Sequence, residues 1–194
     1  MSQWLVPGGI LAIAVVLALF FVVRINGGGD PPATQAPVGT GAQLPDISQM
    51  SPRERFDRLY NRVMQAAEQG DVATMQQFSP MALSAYEMLD EVDADARYHA
   101  ALLKLHTGDM SGSITEADSI LAETPTHLFG LVVKGTLAKW QQDPAALAVV
   151  YGQFLDVYDD EMGIGRPEYG HHASMLENFK ADALADQPRP TEGG

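Results

Sequence analysis

The residues of this chain with the greatest chemical reach are His171 and His172, with Asp159, Asp160 and Glu161 a short way upstream. Imidazole and carboxylate groups are the donors a divalent ion takes, so a metal is the first chemistry to test for. The spacing argues against it. Adjacent residues on a helix point in different directions, and two neighbouring imidazoles do not converge on one ion. His172 falls on the apolar stripe of Tyr169, Leu176 and Phe179 and reads as a core or boundary residue; His171 reads as solvated. A second acidic run, Asp90, Glu91, Asp93 and Asp95, alternates like the opening of a calcium loop. It lacks the central glycine and the closing bidentate glutamate of such a loop. Acidic residues in the first turn of a helix account for it, because they oppose the positive end of the helix dipole. No metal site is expected.

Catalytic patterns are equally sparse. Serine, histidine and aspartate all occur, but no GxSxG elbow surrounds any serine. Gly27-Gly28-Gly29 lies in a linker, and Gly163-Ile164-Gly165 lacks the rest of a phosphate-binding fingerprint. The expectation is a non-enzymatic protein with no catalytic residue, no cofactor and no small-molecule substrate. The chain has no cysteine, which excludes disulfides, thiolate zinc sites, iron–sulfur clusters and thioether haem attachment. Its net charge is −13, nearly all of it beyond residue 50, and such a surface repels phosphate, so nucleic acid is not an expected partner. What remains is surface. Arg53, Arg55, Arg58 and Arg62 gather four of the twelve basic residues on one stretch, and Trp140 ends another. Both are candidates for partner contact, beside the simpler readings of a solvated face with local pairs to Glu54 and Asp57 and of a buried indole.

The elements that must position these groups begin with the first 25 residues. Trp4 to Val23 carries no charged side chain. As a helix it would rise roughly 30 Å, the thickness of a bilayer's hydrocarbon core. Trp4, Leu5, Ile10, Leu11, Phe20, Phe21 and Arg24 are its expected membrane contacts, with Trp4 at the interface. No basic n-region and no small-x-small cleavage site are present, which favours an uncleaved anchor over a signal peptide. Orientation is close to balanced: Arg24 is offset by the α-amino group, and the count leans towards a cytoplasmic domain. The linker style favours export. A single-pass membrane protein with an extracytoplasmic, periplasmic domain is expected, and the cytoplasmic orientation stays open.

Residues 26–50 form a Gly/Pro-rich linker without an aromatic side chain, which cannot bury enough apolar surface to offset its ordering entropy. Residues 185–194 form a similar tail, leaving a compact domain over 51–184. That domain reads as a series of helices. Ser51-Pro52-Arg53-Glu54 is a capping box, and Phe56, Leu59, Tyr60, Val63, Met64 and Ala67 repeat at helical spacing to Gly70. Asp71 caps a second, short helix that restarts at Ser79-Pro80; Asp93 or Asp95 caps a third, closed by Gly108; Asp109 caps a fourth, stopped by Pro125. A fifth runs over 126–141, a sixth from Asp143-Pro144 to about Asp160, and a seventh starts at Arg166-Pro167-Glu168. No segment alternates with period two. The fold class is all-α.

Gly70-Asp71, Gly108-Asp109 and Gln142-Asp143 recur at helix–helix turns, the last two 34 residues apart, and Pro125 follows Gly108 by 17. In these features the chain resembles the tetratricopeptide repeat (TPR) family, whose helix–turn–helix units have a period of about 34 residues. Ala94–Thr126 is the best unit: Ala101 stands at the small position of the first helix, Ser113 and Ala117 on the face of the second, Pro125 at its end. Gly135 and Tyr151 match in the next unit, while Arg97, Lys104 and Ile120 depart from the pattern and the first unit carries about four extra residues near Phe78–Met81. The resemblance implies a TPR-like α-α solenoid of about six to seven helices behind a transmembrane helix. An array of this kind behind a membrane anchor leads to the expectation of an accessory or stabilising subunit that binds other subunits of a membrane complex beside the lipid bilayer, respiratory or photosynthetic complexes being examples of such assemblies. The alternative is a membrane-anchored assembly factor of the cytochrome c maturation or envelope-biogenesis type.

Overall fold

The computed structural model describes residues 50–186. The expected anchor with its contacts Trp4, Leu5, Ile10, Leu11, Phe20, Phe21 and Arg24, most of the linker and the end of the tail lie outside those residues. No helix within them is long and apolar enough to cross a membrane.

The described residues are all-helical: α1 (Pro52–Gln69), α2 (Val72–Glu87), α3 (Ala94–His106), α4 (Met110–Glu123), α5 (Leu128–Gln141), α6 (Pro144–Ile164), α7 (Pro167–His171) and α8 (Ala173–Asp186). They pair as hairpins, α1 with α2, α3 with α4 and α5 with α6, and α8 lies on α5 and α6. All three hairpins turn in the same way. Gly70, Gly108 and Gln142 take left-handed φ values of 68°, 85° and 55°. The N–H of the following aspartate then reaches back five residues: Asp71 to Ala66 O (2.8 Å), Asp109 to Lys104 O (2.8 Å) and Asp143 to Ala138 O (3.0 Å). These bonds satisfy carbonyls that the ending helix would otherwise leave bare. The same three aspartates cap the next helix, their carboxylates accepting from Thr74, Gly112, and Ala145 with Ala146 N–H groups. One residue closes one helix and opens another, so the turns are only two residues long in the first and third hairpins and three in the second.

Two apolar clusters fill the array. One joins α1, α2 and α3 through Phe56, Val63, Phe78, Tyr86 and Leu103. The other joins α3 to α8 through Tyr98, Phe129, Tyr151, Phe154 and Phe179. Helix α3 serves both, which is why Ala96, Tyr98, Ala100, Ala101 and Leu103 are buried around its circumference rather than along one stripe. Gly135 gives α8 its close approach, since a Cβ there would lie 2.5 Å from Phe179 Cζ.

Two elements differ from the sequence-based expectation. Helix α2 runs unbroken through Pro80 instead of restarting there. The lost backbone bond costs about 3 kcal/mol in an ordinary helix, but Phe78, Ala82, Ala85 and Tyr86 on both sides of it enter one apolar cluster and keep the axis continuous. The seventh helix divides into α7 and α8 at His172, whose N–H turns back to Tyr169 O (3.2 Å) while its carbonyl accepts from Leu176 N–H (3.0 Å).

Candidate functional site

The helix-capping residues of α1 and α3 assemble the site. Ser51 and Glu54 form the capping box expected of them, fixing the first turn of α1. Arg53, two residues in, is drawn across to α3: its guanidinium bonds Asp57 on its own helix (3.0 Å), Asp93 (2.8 Å) and Asp95. Asp93 is the N-cap of α3, accepting from Ala96 N–H (2.7 Å), and Asp95 is a first-turn acid, as the helix-start reading of this acidic run has it.

Four residues after Asp95, on the same face of α3, stands His99, 8% exposed. Tyr60 stacks on its ring at 3.9 Å between centroids, and Phe56 and Tyr98 tilt against it at 6.3 and 5.9 Å. From the other end of the sequence the α7–α8 break delivers His172, whose Nε2 lies 2.9 Å from Asp95 Oδ1 and whose ring meets His99 edge-on at 5.2 Å. His99 Nε2 lies 3.7 Å from that same oxygen, and its Nδ1 4.0 Å from Asp57 Oδ1. Neither distance is a hydrogen bond, and both ring nitrogens of His99 are buried without a partner. An unpaired buried polar group costs about 1–3 kcal/mol, so this is an expensive place for an imidazole.

The electrostatics follow from this packing. Burial pushes the His99 imidazole down to about 4, with His172 and Arg53 adding to the effect and Asp95 opposing it. Burial alone would raise Asp95, but the hydrogen bond from His172 and the charges of His99, His172 and Arg53 hold it below the usual carboxylate range. Asp57 goes the other way: burial raises it, Arg53 pulls it back, and the neighbouring Asp95 and Asp93 push it up again. Asp95, His99 and His172 bring one donor atom each to within 4.8 Å of one another.

Two further buried acids act as clamps. Glu116 on α4 receives Tyr86 Oη (2.8 Å) from α2, and Lys104 Nζ (2.6 Å) and Arg97 Nη1 (3.4 Å) from α3. Glu161 on α6 receives Thr126 Oγ1 (2.5 Å), Arg166 Nε (2.9 Å) and Tyr169 Oη (2.9 Å), tying α7 to the start of α5.

The structure separates the four arginines. Arg53 faces inward and is spent on three carboxylates. Arg55, Arg58 and Arg62 share the other side of α1: Arg55 is half-buried and donates to Met50 O (3.4 Å), Arg58 is exposed, and Arg62 covers the Phe78 ring at 4.1 Å. Trp140 is 48% exposed and edge-on to His106 at 5.9 Å. Beside Arg55, Leu59 with Pro80, Met81, Ala85 and Met88 lines an open depression of about 360 Å³ between α1 and α2. His171 is exposed and His172 half-buried, as read from the stripe, and they do not act together. Sequence reasoning missed Asp95 and His99 as partners of His172. The one available signal was their i, i+4 spacing on a helix, which puts two donors on one face; the third lies 77 residues away.

Comparison with protein-family models, curated proteins and solved structures returns no match to this chain.

Proposed function

We propose that the chain is a non-enzymatic, membrane-tethered interaction protein, its TPR-like hairpin array serving as an accessory subunit of a larger membrane complex. The observation that carries this reading is the apolar depression on the α1–α2 hairpin. Met81 and Met88 stand 45% and 60% exposed at it, over Leu59 and Pro80, with the Arg55 guanidinium at the rim. An adaptable thioether surface with a charged edge suits a protein partner, whose apolar side chains fill the centre while an acidic group meets the rim. Three hairpins built on one turn supply a rigid support behind it. The resemblance to TPR units points the same way. The hairpin follows the linker directly in sequence, and an anchor ahead of that linker would hold the depression at high effective concentration beside a membrane partner.

A photo-crosslinking residue replacing Met88, with a second chain carrying it at the exposed Val149 of α6 as control, tests this in native membranes. The expected result is one discrete adduct from position 88, a complex that copurifies in fixed stoichiometry, and its loss in Met88→Glu. A chain released from membranes by a carbonate wash, or adducts no different between the two positions, overturns the proposal.

A further inference from the structure

We infer that Asp95, His99 and His172 form a site for one divalent transition-metal ion of the zinc class. Two imidazoles and one carboxylate are a donor set such an ion takes, with a fourth position left for water. The donor atoms stand close to the required arrangement. Bonds of about 2.0 Å to a tetrahedral ion separate its ligands by about 3.3 Å; Asp95 Oδ1 lies 2.9 Å from His172 Nε2 and 3.7 Å from His99 Nε2. One donor atom from each of the three residues lies within 4.8 Å of the other two, so the set needs only side-chain rotation to close on an ion.

Three further observations favour an ion over a hydrogen-bonded cluster. His99 is more than nine-tenths buried, and neither of its ring nitrogens has a partner. A proton cannot repair this, because Asp95 Oδ1 is already engaged by His172 and lies too far from His99 for a bond. An ion among the three would occupy Nε2 and leave Nδ1–H turned towards Asp57, the outer carboxylate that metal-bound histidines commonly carry. The charge also fits. Arg53 is shared by Asp57, Asp93 and Asp95, and one guanidinium against three carboxylates leaves two negative charges for a dication to balance. Finally, Arg53 takes Oδ2 of Asp95 and leaves Oδ1 for the ion, while Tyr60 stacked on His99 holds the ring in place. The ion would pin the α7–α8 break to α3 across 77 residues of chain.

The test uses the full chain without a histidine tag, in detergent micelles, stripped with chelator and titrated with Co²⁺ and then Zn²⁺. Expected are one ion per chain, visible absorption of the cobalt form that zinc abolishes, and a raised Tm with zinc. His99→Gln and His172→Gln should each weaken zinc binding by at least about tenfold, whereas His171→Gln, altering an exposed neighbour, should leave it unchanged. Wild-type chain that takes up no stoichiometric zinc refutes the site, whatever the variants do. So does equal affinity in wild type, His99→Gln and His172→Gln, each shown folded by circular dichroism. Neither result bears on the docking surface at Met88, which is probed separately.

Discussion

The Tyr169 hydroxyl donates to Glu161 Oε2 at 2.9 Å while accepting the Leu128 N–H at 3.0 Å, so one phenol satisfies a buried acid and a buried N–H at the start of α5. Tyr169→Phe keeps the ring packing against Phe129 and His127 and removes only these bonds. A loss of about 1–3 kcal/mol follows, the cost of leaving buried groups unpaired. Urea denaturation of the two chains measures it; a difference below experimental error would mean that the bonds contribute nothing net.

Acid should loosen the same region. Burial holds His127 below its ordinary value, against the opposing hydrogen bond that its Nε2–H donates to Glu168. A base depressed in the folded state contributes its full stability above the unfolded value, near 6.5, and loses it as pH falls through the folded one. Glu161 has the same sign: burial raises it, but Thr126, Arg166 and Tyr169 outweigh that and hold it low, so its contribution fades at still lower pH. His127 also caps α5 by accepting from Phe129 N–H (3.2 Å), a role asparagine can fill. His127→Asn should therefore flatten the fall in urea midpoint on going from pH 7 towards 5; identical slopes would refute the assignment.

At the hairpin turns the strain is unequal. Gln142 holds φ at 55°, a conformation glycine adopts freely, whereas Gly70 and Gly108 already occupy the matching places. Gln142→Gly should stabilise by up to about 1 kcal/mol, less the added freedom of the unfolded chain. Gly108→Ala should destabilise by about 1–2 kcal/mol for the reciprocal reason. Thermal melts that move in the same direction for both would contradict a shared turn geometry.

Close packing of α5 on α8 depends on a missing side chain. A methyl group on Gly135 would press into the Phe179 ring, so Gly135→Ala should cost about 1–3 kcal/mol by overpacking. Phe179→Leu in the same chain should recover part of that loss, and a double-mutant cycle measures the recovery. Strictly additive losses would place the clash elsewhere.

The local punctuation of the helices is legible in the residue types alone. The capping box at Ser51, the aspartate caps at Asp71, Asp109 and Asp143, and the turn residues Gly70, Gly108 and Gln142 lie where their side-chain chemistry puts them, and of the two caps the sequence offers α3, Asp93 and Asp95, Asp93 takes the place. Caps and turns are contacts between residues a few positions apart, so residue type suffices to read them. Pro80 misled that reading because its effect was set by burial of Phe78 and Tyr86, a tertiary quantity. The break at His172 was hidden for a related reason: Tyr169 is held by Glu161 and Leu128, on other helices.

Residue order alone thus determined that this domain is helical, where most helices begin, and that the hairpins share one turn. Only the folded chain decided which polar groups meet. Arg53 looked like one of four surface cations until α3 placed three carboxylates around it. Asp95 and His99 acquired His172 as a third partner only through the stacking of hairpins and the position of the α7–α8 break. Helical periodicity assigns a side chain to a face, but what lies opposite that face depends on contacts between distant segments, which no local pattern encodes.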